Sequence, residues 1–239
     1  MTPGKKQKSK KQGERKTVLA VGAHPDDIEF SCTGSLMKLI ERGYEAYYVV
    51  ATNGENGFKV GSKPKKQRIA VRHREQLSAA KMLGVKKIFF LGYRDGFLAN
   101  NNELRSKLVR IIKSVKPEII FSFDPANRTY ENINLQHRDH RNIGKAVFDA
   151  VFAAKNKYMY PGKPHKVDYF YFFGAEEPDY FENISAYIER KLEILREHKS
   201  QFSDFGKVEN WVKTYLSKFT RKYKYSEAFR IIRIEQIFK

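Results

Sequence analysis

A chain of 239 residues, 41% hydrophobic and 14% aromatic, is long enough to bury one core, and no Pro- or Gly-rich linker divides it into two. Its single cysteine, Cys32, excludes an internal disulfide and a thiolate zinc cluster, and no run approaches the roughly 20 apolar residues of a membrane span. The net charge is +19, so any metal site must draw on histidine and on a carboxylate complement that basic residues outnumber.

Residues 1–16, MTPGKKQKSKKQGERK, carry seven Lys or Arg and one Glu, with no large aliphatic or aromatic side chain after Met1. They read as a disordered basic arm. The apolar segment of a signal peptide is missing from it, so a soluble, cytoplasmic protein is expected. The arm contributes +6 and leaves +13 on residues 17–239, read as one domain. That surface charge would attract polyanions such as RNA or an anionic substrate, or serve solubility alone, and the basic residues are dispersed rather than interleaved with aromatics.

Strand-length apolar runs alternate with segments of helical period along the chain. TVLAVGA (17–23) reads as a strand, followed by a helix near 32–43 with Leu36, Leu39 and Ile40 on one face and Gly43 as its stop. EAYYVVAT (45–52) is a second strand, and a polar loop leads to a helix at about 67–83, ended by Gly84. KKIFFLG (86–92) is a third strand, the helix at 102–115 presents Leu104, Leu108, Ile111, Ile112 and Val115, and Pro117 stops it. EIIFSF (118–123) is a fourth strand ending in Asp124 and Pro125, and VDYFYFF (167–173) a fifth. The last third reads as helices near 183–201 and 208–219 and a strand at 227–234. Such alternation predicts an α/β fold, a mostly parallel sheet with helices on both faces, in which ligands sit outside the carboxyl ends of the strands.

Two clusters converge on that rim. His24, Pro25, Asp26 and Asp27 follow the first strand, and the HRDHR segment with His137, Asp139 and His140 follows the fourth, its two histidines three apart on one helix face. Two imidazoles and a carboxylate are a common zinc set in hydrolases, where zinc brings the pKa of a water towards roughly 7 and a carboxylate that is not a ligand takes its proton. Adjacent Asp26 and Asp27 suit that division, one as ligand and one as base. Taken alone, either aspartate serves equally well as a helix cap, and either histidine as a surface residue. His73, His165 and His198 have no comparable partners, although His198 is kept as a substrate contact.

The motifs AHPDDIE, TNGENG, RHRE, LGYRDGFL, DP and HRDHRNIG, in order from Val18 to Ala153, with LREHKSQF and EAFRI near the C-terminus, resemble the PIG-L or LmbE-like family of zinc-dependent N-acetylglucosaminyl deacetylases. The resemblance implies a Rossmann-like fold, one zinc ion held by His24, Asp27 and His140, and Asp26 as general base. It implies that His137 stabilises the oxyanion or protonates the leaving amine, with Asp139 orienting it, and that Arg72 contacts the substrate. Three features stand apart from the family pattern: Thr33 and Gly34 stand for a Gly pair, Arg138 replaces a proline and lies at the mouth of the site, and Arg74 sits close to Arg72. The expected substrate is a small N-acetylated amino sugar, with an anionic aglycone or as a plain chito-oligosaccharide. A nucleic-acid-associated protein on the same scaffold and a zinc hydrolase of another amide or a phosphoester are the alternatives. The aromatic-rich stretch 169–181 is a candidate contact surface for a homo-oligomer.

Overall fold

The computed structural model describes residues 15–57, 59, 61, 63–129, 133 and 136–234. Apart from Arg15 and Lys16, the basic arm lies outside the described residues. The elements run β1 (Thr17–Gly22), α1 (Asp27–Ser31), α2 (Thr33–Glu41), β2 (Glu45–Thr52), α3 (Lys65–Leu83), β3 (Lys87–Tyr93), α4 (Asn102–Val115), β4 (Ile119–Phe123), α5 (Arg138–Ala154), β5 (Tyr169–Phe173), β6 (Tyr180–Asn183), α6 (Ile188–Leu195), a 3-10 turn (Lys199–Gln201), α7 (Phe205–Ser217) and β7 (Ser226–Arg233). They form one sheet in the order β3-β2-β1-β4-β5-β7-β6. Strands β1 to β5 are parallel to one another, and β7 runs antiparallel to both β5 and β6.

The α/β expectation holds. From β1 the chain steps outward through β2 to β3 and then returns to β4 on the other side of β1. Right-handed crossovers in opposite directions put helices on both faces and open a crevice at the carboxyl ends of β1 and β4. Every residue of β1 is buried, as a central strand covered on both faces requires. α4 and α5 pack together against β1 and β4, while α1, α2 and α3 pack with α6. Among the described residues no helix is long and apolar enough to cross a membrane.

The first helix differs from its expected span. It begins at Asp27 and breaks at Cys32 into α1 and α2. The junction is held by a buried ion pair. Lys191 Nζ donates at 2.8 Å to Glu227 Oε1 and at 2.8 Å to each of the Glu29 and Phe30 carbonyls. Glu227 in turn accepts from the amides of Gly34 and Ser35, both at 2.8 Å, at the start of α2. A Cβ on residue 34 would lie 2.6 Å from Ile184 Cγ2, so glycine is needed there, whereas Thr33 fits by donating its hydroxyl to the Ile28 and Glu29 carbonyls. Because both side chains of the pair are fully buried, Lys191→Met is expected to cost about 3–5 kcal/mol by stranding the Glu227 charge. Urea denaturation checks it.

The C-terminal third also differs. The expected helix at 183–201 is a short α6 flanked by the edge strand β6 and the 3-10 turn. Ile184, Ile188, Leu192 and Leu195 form a second apolar cluster with Val212 and Leu216 of α7.

Candidate metal centre and catalytic site

After β1 the chain turns through Ala23, His24, Pro25 and Asp26 into α1. Asp26 has φ 100°, a left-handed conformation that is uncommon for a residue with a Cβ. Its amide donates to Gln76 Oε1 at 3.1 Å, and Arg72 donates to the Pro25 carbonyl and, at 3.4 Å, to Asp26 Oδ2. Gly54 permits this close approach, since a Cβ there would lie 2.9 Å from both Arg72 Nε and Pro25 Cδ. Asp26 occupies the N-cap position of α1, yet its carboxylate caps nothing. The Asp27 carboxylate turns back instead, with Oδ2 accepting from the Ala23 and His24 amides at 2.8 and 2.7 Å.

His140 arrives from the first turn of α5, its ring stacked on Phe123 at 3.9 Å between centroids. That contact rests on Gly144, where a Cβ would lie 2.7 Å from the Phe123 carbonyl oxygen, so α5 can approach the end of β4. His24 Nδ1 then lies 3.1 Å from His140 Nε2, His140 Nε2 lies 3.2 Å from Asp27 Oδ1, and His24 Nδ1 lies 3.4 Å from Asp27 Oδ2. Two imidazole nitrogens and the carboxylate of Asp27 thus face one another.

The other side of the His24 ring decides what that arrangement is for. His24 Nε2 lies 3.2 Å from Asp95 Oδ1 and 3.2 Å from Asp139 Oδ2. Both carboxylates are already fed by amides, Asp139 by Gly96 and Leu98 at 2.6 and 3.0 Å and Asp95 by Asn56 at 2.9 Å. They keep the proton of His24 on Nε2 and leave the Nδ1 lone pair bare for a cation, the usual second support of a metal-ligating histidine. His24 thus belongs both to a group with His137 and His140 and to one with Asp95 and Asp139. The residues fit a divalent ion. Asp95→Asn is expected to weaken zinc binding about 10–100-fold without unfolding the protein, which competition with a chromogenic chelator measures.

Before a cation binds, the surrounding carboxylates favour a proton on His24, which a metal ion must displace. Burial opposes protonation of His24, but Asp27, Asp139 and Asp95 outweigh it and hold its pKa well above the ordinary value. Burial would raise Asp27, but His140 and His24 hold it well below the usual carboxylate range. Asp26 goes the other way. Burial lifts its pKa, Arg72 and His198 pull it part of the way back, and Asp27 pushes it up again. For His137, burial and then the charges of His24 and His140 lower the pKa. Its Nδ1 accepts from the Asp139 amide at 3.2 Å, so the ring proton sits on Nε2.

The structure therefore brings together His24, Asp26, Asp27, His137, Asp139 and His140 and revises three assignments. The Asp139 carboxylate supports His24, held there by the amides of the loop after β3, and Asp139 orients the His137 ring only through its backbone amide. Arg72 is 1% exposed and braces the Asp26 turn from behind, out of reach of a substrate. His198 is fully buried 3.3 Å from Glu29 Oε2, so it is no substrate contact. Arg138 is exposed on the rim, with Nε donating to the Leu98 carbonyl at 3.3 Å. Asp95, Gln76 and Glu29 carry roles that the sequence reading passed over. Asp95 lies in LGYRDGFL at the end of a parallel strand, and Gln76 is one helical turn after Arg72, so both positions carried a signal.

The family model described as PIG-L: GlcNAc-PI de-N-acetylase matches residues 19–151, the span that holds all of His24, Asp26, Asp27, His137, Asp139 and His140. The chain belongs to the PIG-L family. It is 32% identical over 195 residues to a diacetylchitobiose deacetylase of Thermococcus kodakarensis, covering 79% of this chain and 71% of that one. It is 29% identical over 205 residues to a probable N-acetyl-alpha-D-glucosaminyl L-malate deacetylase 2 of Bacillus anthracis, covering 78% and 81%. Among solved PIG-L-like structures, the N,N'-diacetylchitobiose deacetylase of Pyrococcus horikoshii superposes with a TM-score of 0.84 at 30% identity, covering 91% of this chain and 84% of that one.

Proposed function

We propose that this PIG-L family member is a zinc-dependent deacetylase that hydrolyses the acetamido group of a small molecule containing N-acetylglucosamine. The observation that carries the reading is the separation of two adjacent aspartates. Asp27 is turned into the His24 and His140 cluster, while the Asp26 carboxylate stands outside it with a raised pKa. The deacetylase relatives act on acetylated amino sugars by name, which supports the same substrate class here.

Zinc held by His24, Asp27 and His140 would supply Lewis acidity, polarising the acetyl carbonyl and acidifying a water. Asp26 accepts the proton of the attacking water as its oxygen adds to the carbonyl carbon. His137 donates Nε2–H to the developing oxyanion, a role for which a neutral imidazole of fixed tautomer is suited. The proton taken by Asp26 passes to the nitrogen as the C–N bond breaks, and acetate and the free amine leave. Arg138, exposed at the mouth, favours an anionic group on the aglycone. The buried free thiol of Cys32 suits a reducing compartment and supports a cytoplasmic location.

A nucleic-acid role on this scaffold is less well supported, since it has no use for a ligand set and a separate base. An acetate-release screen over N-acetylated glycosides with neutral and anionic aglycones, with zinc and with a chelator, tests the proposal. Zinc-dependent release from at least one class is expected, and release from none contradicts it.

A further inference from the structure

A second concavity shares the rim. Between α1, the carboxyl end of β5 and α7 lies a cavity of ≈ 670 Å³, within the range of about 300–1,000 Å³ typical of small-molecule sites. Its walls are aromatic. Phe30 packs edge-on against Phe202 at 5.9 Å and against Trp211 at 6.0 Å, and Trp211 stacks parallel on Tyr215 at 5.2 Å. Trp211, the only tryptophan in the chain, is nevertheless 54% exposed.

The cavity lies beside the metal centre on the same rim, with the packed rings of Phe173 and Phe123 between them. Phe30 follows Asp27 by one helical turn. Phe173, another wall residue, lies 4.7 Å from the ring of Phe123, the same ring that stacks on His140 at 3.9 Å. An acetyl group is far too small to fill this space, so the part of the substrate that extends beyond the sugar is its natural occupant. Lys59 and Lys207 reach the edge of the cavity, and Asp204 lies 3.7 Å from Lys207 and offsets its charge. The walls select for an apolar ring rather than for charge.

We propose that the cavity is an aglycone subsite that takes an aromatic group attached to the amino sugar. The inference rests on the deacetylase reading of the neighbouring centre. With the sugar's acetamido group at His24, Asp26 and His140, the aglycone leaves the centre past Phe173 and packs on Trp211 and Phe202.

Because Trp211 is the sole tryptophan, its fluorescence reports occupancy without any turnover. The zinc-loaded full chain is titrated with phenyl glucosaminide and with methyl glucosaminide, in both anomers, neither of which has an acetyl group to lose. The phenyl compound is expected to shift Trp211 emission and saturate, and the methyl compound to leave it unchanged over the same range. With the N-acetylated pair, kcat/KM is expected to favour the phenyl glycoside by about tenfold or more, and Trp211→Ala to bring the ratio of the two values close to one. Emission unchanged by the phenyl compound, with equal kcat/KM for both glycosides, overturns the subsite and leaves the deacetylase reading standing. No zinc-dependent turnover of either glycoside overturns that reading and the subsite with it. Shielding of Trp211 from acrylamide as protein concentration rises assigns the face to a second copy of the chain and also overturns the subsite.

Discussion

Asp26→Asn lowers kcat for acetate release by about 10²–10⁴-fold while the protein keeps its zinc. Asparagine is the right replacement because Asp26 sits at φ 100°. Asn tolerates left-handed backbone, whereas Ala there would add strain of roughly 1–2 kcal/mol and blur the result. The amide keeps the shape of the turn, and Arg72 retains its bond to the Pro25 carbonyl. What disappears is the ability to accept a proton. The checks are steady-state acetate release together with zinc content by atomic absorption. A loss of less than tenfold contradicts the assignment of Asp26 as base.

His140→Ala has a different signature, loss of zinc and loss of activity together. His140 Nε2 is the atom common to both of the short approaches that close the ligand set, 3.1 Å to His24 Nδ1 and 3.2 Å to Asp27 Oδ1. Without it the cation keeps two protein donors, fewer than the three of an ordinary catalytic zinc site. Zinc affinity is therefore expected to fall by more than the about 10–100-fold assigned to Asp95→Asn, which removes only support for the His24 ring. The ring leaves a gap against Phe123 at the rim rather than in the main core, so the cooperative unfolding transition should survive. Stoichiometric zinc retained by folded His140→Ala protein contradicts the ligand assignment.

Much of this site was legible because it is written at strand ends. The apolar run before His24 marks a central strand, and its abrupt change to ionisable residues marks the crevice. His137 and His140 follow the next strand over. Local spacing cannot say where a carboxylate turns, and there the reading failed. Asp139 is two residues from His137 and looked like its partner. Its oxygens instead meet the Gly96 and Leu98 amides and the His24 ring, contacts made across more than 40 residues of chain. Arg72 looked like a substrate contact because a cation near a sugar site is a reasonable guess. Its inward path depends on the missing side chain of Gly54, which no helical pattern reveals. The edge strand β6 went unread for a similar reason, since among the described residues it pairs with β7 alone and the pairing joins Tyr180 to Phe229. His198 has no local sign of its burial against Glu29, because that contact spans α1 and the turn after α6.

The division of labour between Asp26 and Asp27 is tested most directly by measuring zinc content and acetate release together for the wild-type chain, Asp26→Asn and Asp27→Asn. The account predicts one zinc per chain and activity for the wild type, zinc without activity for Asp26→Asn, and neither for Asp27→Asn. Zinc lost from Asp26→Asn and retained by active Asp27→Asn protein would contradict it.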